Sequence, residues 1–167
     1  MEHTRQIGFL GRIRYGVNAG YIFGTTAYPF LRVHAGNQSY WLFTNAFNKM
    51  NFFEFISDRY VTALLENHWD GLFFDRIPLI RKLKLRLVTT LKMAYGTINL
   101  RHEQEMLLPD FTKRFGDTPY AEVAMGVENI LKVGRVDVFW RLTHHEPGVK
   151  ANHISNFGIR ARYAINF

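Results

Sequence analysis

Apolar and other residues alternate along residues 12–23, which read Arg-Ile-Arg-Tyr-Gly-Val-Asn-Ala-Gly-Tyr-Ile-Phe. The odd-numbered positions are all apolar, whereas the even-numbered positions hold Arg, Gly or Asn, with Ile22 as the exception. Successive side chains of a β-strand point to opposite faces of its sheet. This stretch therefore predicts a strand with one apolar face and one polar face.

The same alternation recurs in five further stretches, at 61–69, 85–95, 121–127, 136–142 and 157–167. Nearly every position on one face of the six stretches is apolar, whereas fewer than a third are apolar on the other face. An amphipathic helix would repeat its apolar residues every 3.6 positions instead. We therefore predict an all-β protein, an antiparallel up-and-down meander of about seven strands, with the seventh strand running through residues 39–51.

The connections between the predicted strands differ in length. Residues 129–135 form a tight connection, while 97–118 and 144–156 are long, polar and contain prolines,. We expect short and long connections at opposite ends of the meander. One connection, 71–84, is both apolar and basic, and we interpret it as an amphipathic segment near an interface. Its cations, which we expect at the level of lipid headgroups, are Arg76, Arg81, Lys82 and Lys84.

Length and composition limit the protein class. The chain has 167 residues and a formal net charge of +7, which suits a single domain,. Its mean hydropathy of -0.14 is too polar for a bundle of membrane helices, and no stretch approaches the roughly 18 apolar residues of a spanning helix. Residues 1–5 lack the apolar core of a signal peptide,. The absence of cysteine excludes disulfides, thiolate metal sites and cysteine nucleophiles,.

Alternation alone fits two architectures, because a soluble barrel turns its apolar face inward and a transmembrane barrel turns it outward. Three features favour the transmembrane barrel: strands of roughly 11 to 14 residues, aromatic residues towards strand ends, and charged residues on the polar face. We expect these charged residues to line the lumen of the barrel. They are Arg12, Arg14, Glu66, His68, Arg86, Lys92, Glu122, Glu128, Arg135, Asp137, Arg141, Arg160 and Arg162. A soluble β-barrel that binds a small apolar ligand is the alternative.

The last residues resemble a targeting signal. Alternation continues to the end of the chain, where Tyr163, Ile165 and Phe167 share one face. This ending is similar to the C-terminal signal of bacterial outer-membrane barrels, which the barrel assembly machinery reads. An exposed strand edge can add to another sheet before the barrel closes. We therefore expect location in the bacterial outer membrane, with membrane lipid and that machinery as partners.

Several stretches resemble one protein family. They read Ala-Tyr-Pro-Phe-Leu-Arg-Val-His-Ala-Gly-Asn at 27–37 and Ala-Phe-Asn-Lys-Met-Asn-Phe-Phe-Glu-Phe-Ile-Ser-Asp-Arg-Tyr at 46–60, with further likeness at 76–84 and 119–123. They are similar to the C-terminal barrel region of Bacteroidetes outer-membrane proteins of unknown function that carry an N-terminal carboxypeptidase-regulatory-like domain. The resemblance covers about residues 11–167 and implies an outer-membrane β-barrel distantly like surface-antigen and assembly-factor barrels. It implies no activity.

The resemblance also predicts what this chain lacks. Compared with that family, we expect residues 1–167 to lack the regulatory-like domain, the signal peptide and the earlier barrel strands. An odd number of strands would leave an unpaired edge in lipid. We therefore expect residues 1–167 to be one barrel domain, the C-terminal fragment of a larger barrel, whose remaining strands and N-terminal domain are further partners.

No motif indicates catalysis or a cofactor. Ser39, Ser57 and Ser155 lack the context of a nucleophile elbow,, and no phosphate-binding glycine loop is present. His144, His145 and Glu146, with His153, form a weak candidate metal site,. Aliphatic residues interrupt the basic run, which disfavours nucleic acid. We expect a non-enzymatic protein without cofactor or metal, acting in transport, assembly or surface display.

Overall fold

The computed structural model describes residues 2–24, 28–69, 82–99, 109–145 and 156–163. Within these ranges the chain is all β, apart from short 3-10 turns at Gly8–Leu10 and Tyr28–Phe30. The strands are β1 (Glu2–Gln6), β2 (Arg12–Tyr21), β3 (Arg32–Val33), β4 (Ile56–Ser57), β5 (Arg59–Trp69), β6 (Arg86–Thr97), β7 (Tyr120–Ile130), β8 (Gly134–Arg141) and β9 (Phe157–Tyr163).

Seven of these strands form one antiparallel sheet in the order β1-β2-β5-β6-β7-β8-β9, and β3 pairs with β4 in a small second sheet. Each strand of the large sheet lies beside its neighbour in sequence, apart from the β3 and β4 insertion, as in an up-and-down meander. The predicted fold class is confirmed, and all six alternating stretches contain strands. Among the described residues no ladder joins the edge strands β1 and β9.

The prediction of a strand through residues 39–51 is wrong. That region consists of turns with two isolated bridges, Gly36 with Phe47 and Trp41 with Ala161. Asparagine side chains there bond to backbone carbonyl groups, which offers the backbone an alternative to a ladder,. The seventh strand is β1, whose five exposed residues carry no apolar alternation that could have identified it.

The strand register places the connections at two ends of the sheet. Residues 7–11, 82–85 and 131–133 lie at one end, here called the short-turn end; the connections after β2, β6 and β8 lie at the other. The β7-β8 turn has positive φ at Leu131 and Lys132, and Val133 N–H donates to the Ile130 carbonyl at 3.1 Å. This is the type I′ geometry that matches strand twist. Lys82 and Lys84, from the predicted basic segment, belong to this end.

Charged side chains on one face of the large sheet are buried, whereas apolar side chains on the other face are exposed. Glu122 and Asp137 are each 1% exposed, whereas Val17 is 57% and Ile159 53% exposed. The buried apolar core lies on the polar side of the sheet, and part of it comes from the connection between β2 and β5. This main cluster contains Phe47, Met50, Phe55, Ala94, Phe115 and Tyr120. The described residues therefore cover the polar face and leave the apolar face uncovered.

Candidate functional site: the charged interior beneath residues 28–58

The ladders place all thirteen charged residues that we predicted to line a lumen on one face of the large sheet, here called the polar face. Cross-strand rows run from Arg14 to Glu66 and Thr90, and from Arg86 through Glu128 and Arg135 to Arg162. Oppositely charged side chains thus become neighbours although they are far apart in sequence. Four of the thirteen contact Arg135 directly or through one shared partner: Glu66, Asp137, His68 and Arg14.

Arg135 is the centre of the buried charges. Its Nη2 lies 2.6 Å from Asp137 Oδ2 and 2.9 Å from Glu66 Oε2, and its Nε donates to Asp137 Oδ1 at 2.7 Å. The Asp137 contacts form the paired geometry in which a planar guanidinium binds a carboxylate best. Thr90 Oγ1 lies 3.4 Å from Glu66 Oε2, which further satisfies this carboxylate. Two carboxylates therefore balance the buried cation.

His68 connects Glu66 to a second carboxylate. His68 Nε2 lies 3.2 Å from Glu66 Oε1, and His68 Nδ1 lies 3.0 Å from Glu128 Oε1. An imidazole between two carboxylates is suited to carry a proton on each nitrogen. Arg14 Nη1 approaches Glu66 Oε1 at 3.7 Å and also binds Glu2 at 2.9 Å. The charged network therefore extends from β8 to β1.

Residues 28–58, here called the inner segment, cross the polar face and contact six of its strands, β2 and β5 to β9. The backbone N–H groups of Asn48 and Lys49 donate to the two carboxylate oxygens of Glu122 at 2.8 and 2.9 Å. Leu42 N–H donates to the Ala161 carbonyl at 2.8 Å, so the segment reaches the edge strand β9. A buried carboxylate on the sheet thus holds the backbone of the segment, which in turn satisfies the carboxylate.

Cations on the sheet bind backbone carbonyl groups of the inner segment. Lys92 Nζ donates to the Phe43 carbonyl at 3.3 Å and also to Ala46. Arg160 Nη2 donates to the Asn48 carbonyl at 3.2 Å. Because irregular backbone has no ladder partners, such donors satisfy groups that would otherwise be costly to bury.

The strongest link between sheet and segment is a buried ion pair. Arg141 Nη2 donates to Glu54 Oε1 at 2.7 Å and Nη1 to Oε2 at 3.1 Å, with both side chains at most 1% exposed. Burial opposes ionisation of Glu54, but hydrogen bonds from Arg141 and the Asn51 N–H, with the charges of Arg141 and Lys113, outweigh it and hold the pKa of Glu54 below its usual value,.

His34 is buried in the inner segment without a charged partner. Its Nε2 lies 3.1 Å from Ser57 Oγ, and its ring meets Tyr60 and Phe115 edge to face. Burial, aided by the positive charge of Arg32, lowers the pKa of His34 to about 4. The imidazole is therefore neutral at pH 7 and acts as a packing and hydrogen-bonding group.

Two glycines make room for these contacts. A Cβ at Gly126 would lie 2.1 Å from Asp137 Oδ1, and a Cβ at Gly36 would lie 2.3 Å from the Asn51 carbonyl oxygen. Neither position could carry a side chain without displacing its neighbours. Gly126 thus allows the carboxylate of Asp137 to fold across β7 towards Arg135, and Gly36 allows two parts of the inner segment to touch.

The remaining predicted residues fall outside this buried network or outside the described ranges. Arg12, Arg86 and Arg162 are exposed at the short-turn end, and Tyr163 is the exposed last residue of β9. Four of the predicted residues lie outside the described ranges: Arg76, Arg81, Ile165 and Phe167. In the predicted histidine cluster, the Nε2 atoms of His144 and His145 each contact a backbone carbonyl oxygen. Glu146 and His153 lie outside the described ranges.

The arrangement favours fixed charge pairing over chemistry. In the described part of the chain no group of three or more His, Asp or Glu side chains has the geometry to hold a metal ion. The buried carboxylates are each bonded to a cation or to backbone N–H groups, as expected of structural charges in a closed interior. The described residues also include no helix of the length and apolarity required to cross a membrane.

Sequence reasoning missed the residues of the inner segment that contact the sheet. Asn48 and Lys49 fall in the predicted strand at 39–51, and no pattern in the sequence marks Glu54. A signal that could have found the turns is the irregular alternation of residues 39–51, together with Asn37 and Asn48, whose side chains bond to each other at 2.7 Å. Asparagine favours turns because its side chain competes for backbone partners.

Comparison with known proteins gives one match. Residues 1–105 match the C-terminal domain of a family of unknown function, DUF5686. This range includes β1 to β6 and the whole inner segment. No curated protein and no solved structure matches the chain. Since the match covers more than half of the sequence, the chain belongs to the DUF5686 family of unknown function.

Proposed function

We propose that this chain is part of a bacterial outer-membrane β-barrel, with its apolar face against lipid and its polar face lining an interior that the inner segment fills. The observation that carries the proposal is the reversed burial of the large sheet. Charged side chains such as Asp137 and Arg141 are buried, while apolar ones such as Val17 and Ile159 are exposed. A wide exposed apolar surface marks a site of contact with lipid or protein.

Strand length and aromatic positions support the same proposal. β2, β5, β6 and β7 have 10 to 12 residues, close to the 9 to 11 that a tilted strand needs to cross a bilayer,. Exposed aromatic side chains gather on the apolar face at the end opposite the short-turn end. They include Tyr21, Tyr95, Trp140 and Phe157. Such a girdle is typical of transmembrane barrels.

The wider role follows from the resemblance described above. We infer a protein of Bacteroidetes type whose residues 1–167 form the C-terminal portion of a larger barrel, preceded by further strands and a carboxypeptidase-regulatory-like domain. The barrel assembly machinery would recognise Tyr163, Ile165 and Phe167, and Lys82 and Lys84 would meet lipid headgroups on the periplasmic side. The role is non-enzymatic and lies in transport, assembly or surface display.

The alternative is a soluble β-barrel that binds a small apolar ligand. One observation favours it: an apolar groove of about 480 Å³ lies between Tyr21, Val61 and Tyr95 on the apolar face. It requires that face to be enclosed by further protein. In the described strands the polar face is the enclosed one, which is why the membrane barrel is our first proposal.

Insertion of a charge distinguishes the two proposals. Val138→Arg and Leu91→Arg place a cation in the middle of the apolar face, where a lipid-facing Arg costs about 2 to 4 kcal/mol. We expect both variants to insert poorly into lipid vesicles, measured by heat-modifiable gel migration. Asn18→Arg, an exposed position on the polar face, is the matched control and should insert normally.

The wild-type protein gives the complementary measurement. We expect circular dichroism to show β-structure only when detergent or lipid is present. Stable β-structure in plain buffer, together with normal insertion of both Arg variants, would favour the soluble ligand-binding barrel instead.

A further inference from the structure

A cavity of about 270 Å³ opens on the polar face at the short-turn end of the large sheet, away from the inner segment. Residues of β2, β6, β7, β8, β9 and the β7-β8 turn line this cavity. They are Arg12, Arg86, Glu128, Asn129, Lys132, Val133, Gly134, Arg135 and Arg162. We call this group the basic mouth. It contains five cationic side chains and one carboxylate.

The charges of the basic mouth are not balanced internally. Its carboxylate, Glu128, lies 3.0 Å from His68, and Arg135 is held by Glu66 and Asp137 beneath the cavity. Among the described residues, Arg12, Lys132 and Arg162 make no side-chain hydrogen bond or ion pair. Net positive charge therefore remains at the opening.

The strand register forces cations together. Arg135 and Arg162 are direct cross-strand partners on the same face, a placement that is destabilising for like charges. A side-chain hydrogen bond also holds this end together, because Asn129 Nδ2 donates to the Lys84 carbonyl at 2.7 Å and so joins the β5-β6 connection to the end of β7. Glu66 and Asp137 offset the charge of Arg135, whereas Arg162 has no ion-pair partner among the described residues, so a bound anion would reduce the repulsion at Arg162.

We infer that the basic mouth binds a soluble anion that carries two or more phosphate groups. Arginine side chains bind phosphate through paired N–H donors, and a lysine adds a mobile point charge. The cavity lining is polar, which disfavours an acyl chain, and it lies on the face opposite the apolar surface. The inference does not depend on the membrane proposal, because a soluble sheet with the same register would present the same cations.

The probe is sodium tripolyphosphate, titrated calorimetrically into the folded full-length protein at low salt. We expect binding that weakens as salt rises, since the contacts are ionic, and at least tenfold weaker binding of orthophosphate. The double variant Arg12→Gln and Arg162→Gln should weaken tripolyphosphate binding at least tenfold. Arg59→Gln, a cation on the other face and at the other end, should leave binding unchanged.

Circular dichroism checks that the double variant keeps its β-structure, which we expect because Arg12 and Arg162 are exposed and make no structural contact in the described residues. Tripolyphosphate should also raise the melting temperature of the wild-type protein and not that of the double variant. The inference is overturned if wild type does not bind tripolyphosphate, or if the folded double variant binds it as tightly as wild type does.

Discussion

The large sheet and the inner segment are stabilised in different ways. In the sheet, alternation defines which face each side chain occupies, and the backbone groups pair with neighbouring strands. In the inner segment, backbone groups pair with individual side chains, such as Glu122 and Lys92 of the sheet. A sheet position tolerates many residues of similar polarity. A contact of the inner segment depends on one donor or acceptor, so the two regions should respond differently to substitution.

Loss of the Arg141 and Glu54 pair should be the largest effect. Arg141→Leu leaves the carboxylate of Glu54 buried without its guanidinium, which costs about 3 to 5 kcal/mol in the free energy of unfolding. Urea unfolding in detergent, followed by circular dichroism, measures it. Arg12→Leu removes the same charge from an exposed position of the polar face and should change stability by no more than about 0.5 kcal/mol.

A double-mutant cycle tests whether the pair itself is responsible. Glu54→Leu alone should also be strongly destabilising, because Arg141 then remains buried. The double variant should lose less than the sum of the two single losses, since no buried charge is left unpaired. Strictly additive losses would show that the two residues act independently and that the inner segment is held elsewhere.

Acidification should loosen the inner segment through His34. The unfolded chain binds a proton on His34 near pH 6.5 and the folded chain only near pH 4. Between these values the unfolded state holds more protons, so stability is lost as pH falls, by up to about 3 kcal/mol. His34→Gln keeps a partner for Ser57 and should remove this part of the pH dependence. Parallel pH profiles of wild type and variant would contradict the assignment.

Crowding at Gly126 tests how closely the sheet and its charges are packed. Gly126→Ala places a Cβ 2.1 Å from Asp137 Oδ1, and we expect a loss of about 1 to 3 kcal/mol. At Gly134 the nearest atom to an added Cβ is 3.1 Å away, so Gly134→Ala should cost less. A larger loss at Gly134 would mean that the carboxylate of Asp137 moves aside freely.

The β7-β8 turn should give the smallest effect, and a gain. Leu131 has a φ of 51° and is 87% exposed, a conformation that asparagine adopts more readily than leucine. Leu131→Asn should therefore raise the free energy of unfolding by about 0.5 to 1 kcal/mol. Val133→Asn, beyond the positive-φ positions of the same turn, should give no gain. Equal effects at both positions would argue against backbone strain as the cause.

The predictable part of the fold is the part with a repeated pattern. Six strands were predicted from alternation, and the charged face was assigned correctly to one side of the sheet. Residues 39–51 were predicted as a strand although their alternation is irregular. Asn37 and Asn48 make local side-chain hydrogen bonds there. Other backbone groups of this region bond to side chains of distant strands, such as Glu122 and Lys92. Local propensity could not identify them.

The charged pairs show the same limit. Arg14 and Glu66 become cross-strand partners through the register of β2 and β5. Alternation predicts which face of the sheet each residue occupies, but it does not predict which residue of the neighbouring strand lies opposite. The link between Arg141 and Glu54 joins the sheet to an irregular segment. Such a contact follows no sequence period, so only the folded chain reveals it.

Alternation in the sequence is enough to predict an antiparallel meander with one apolar and one charged face, because side-chain direction in a strand repeats every two residues. Only the folded chain shows that the charged face is enclosed, that the inner segment covers it, and that five cations meet at the basic mouth. These features arise from strand register and from long-range contacts, which bring together residues whose separation in sequence carries no periodic signal.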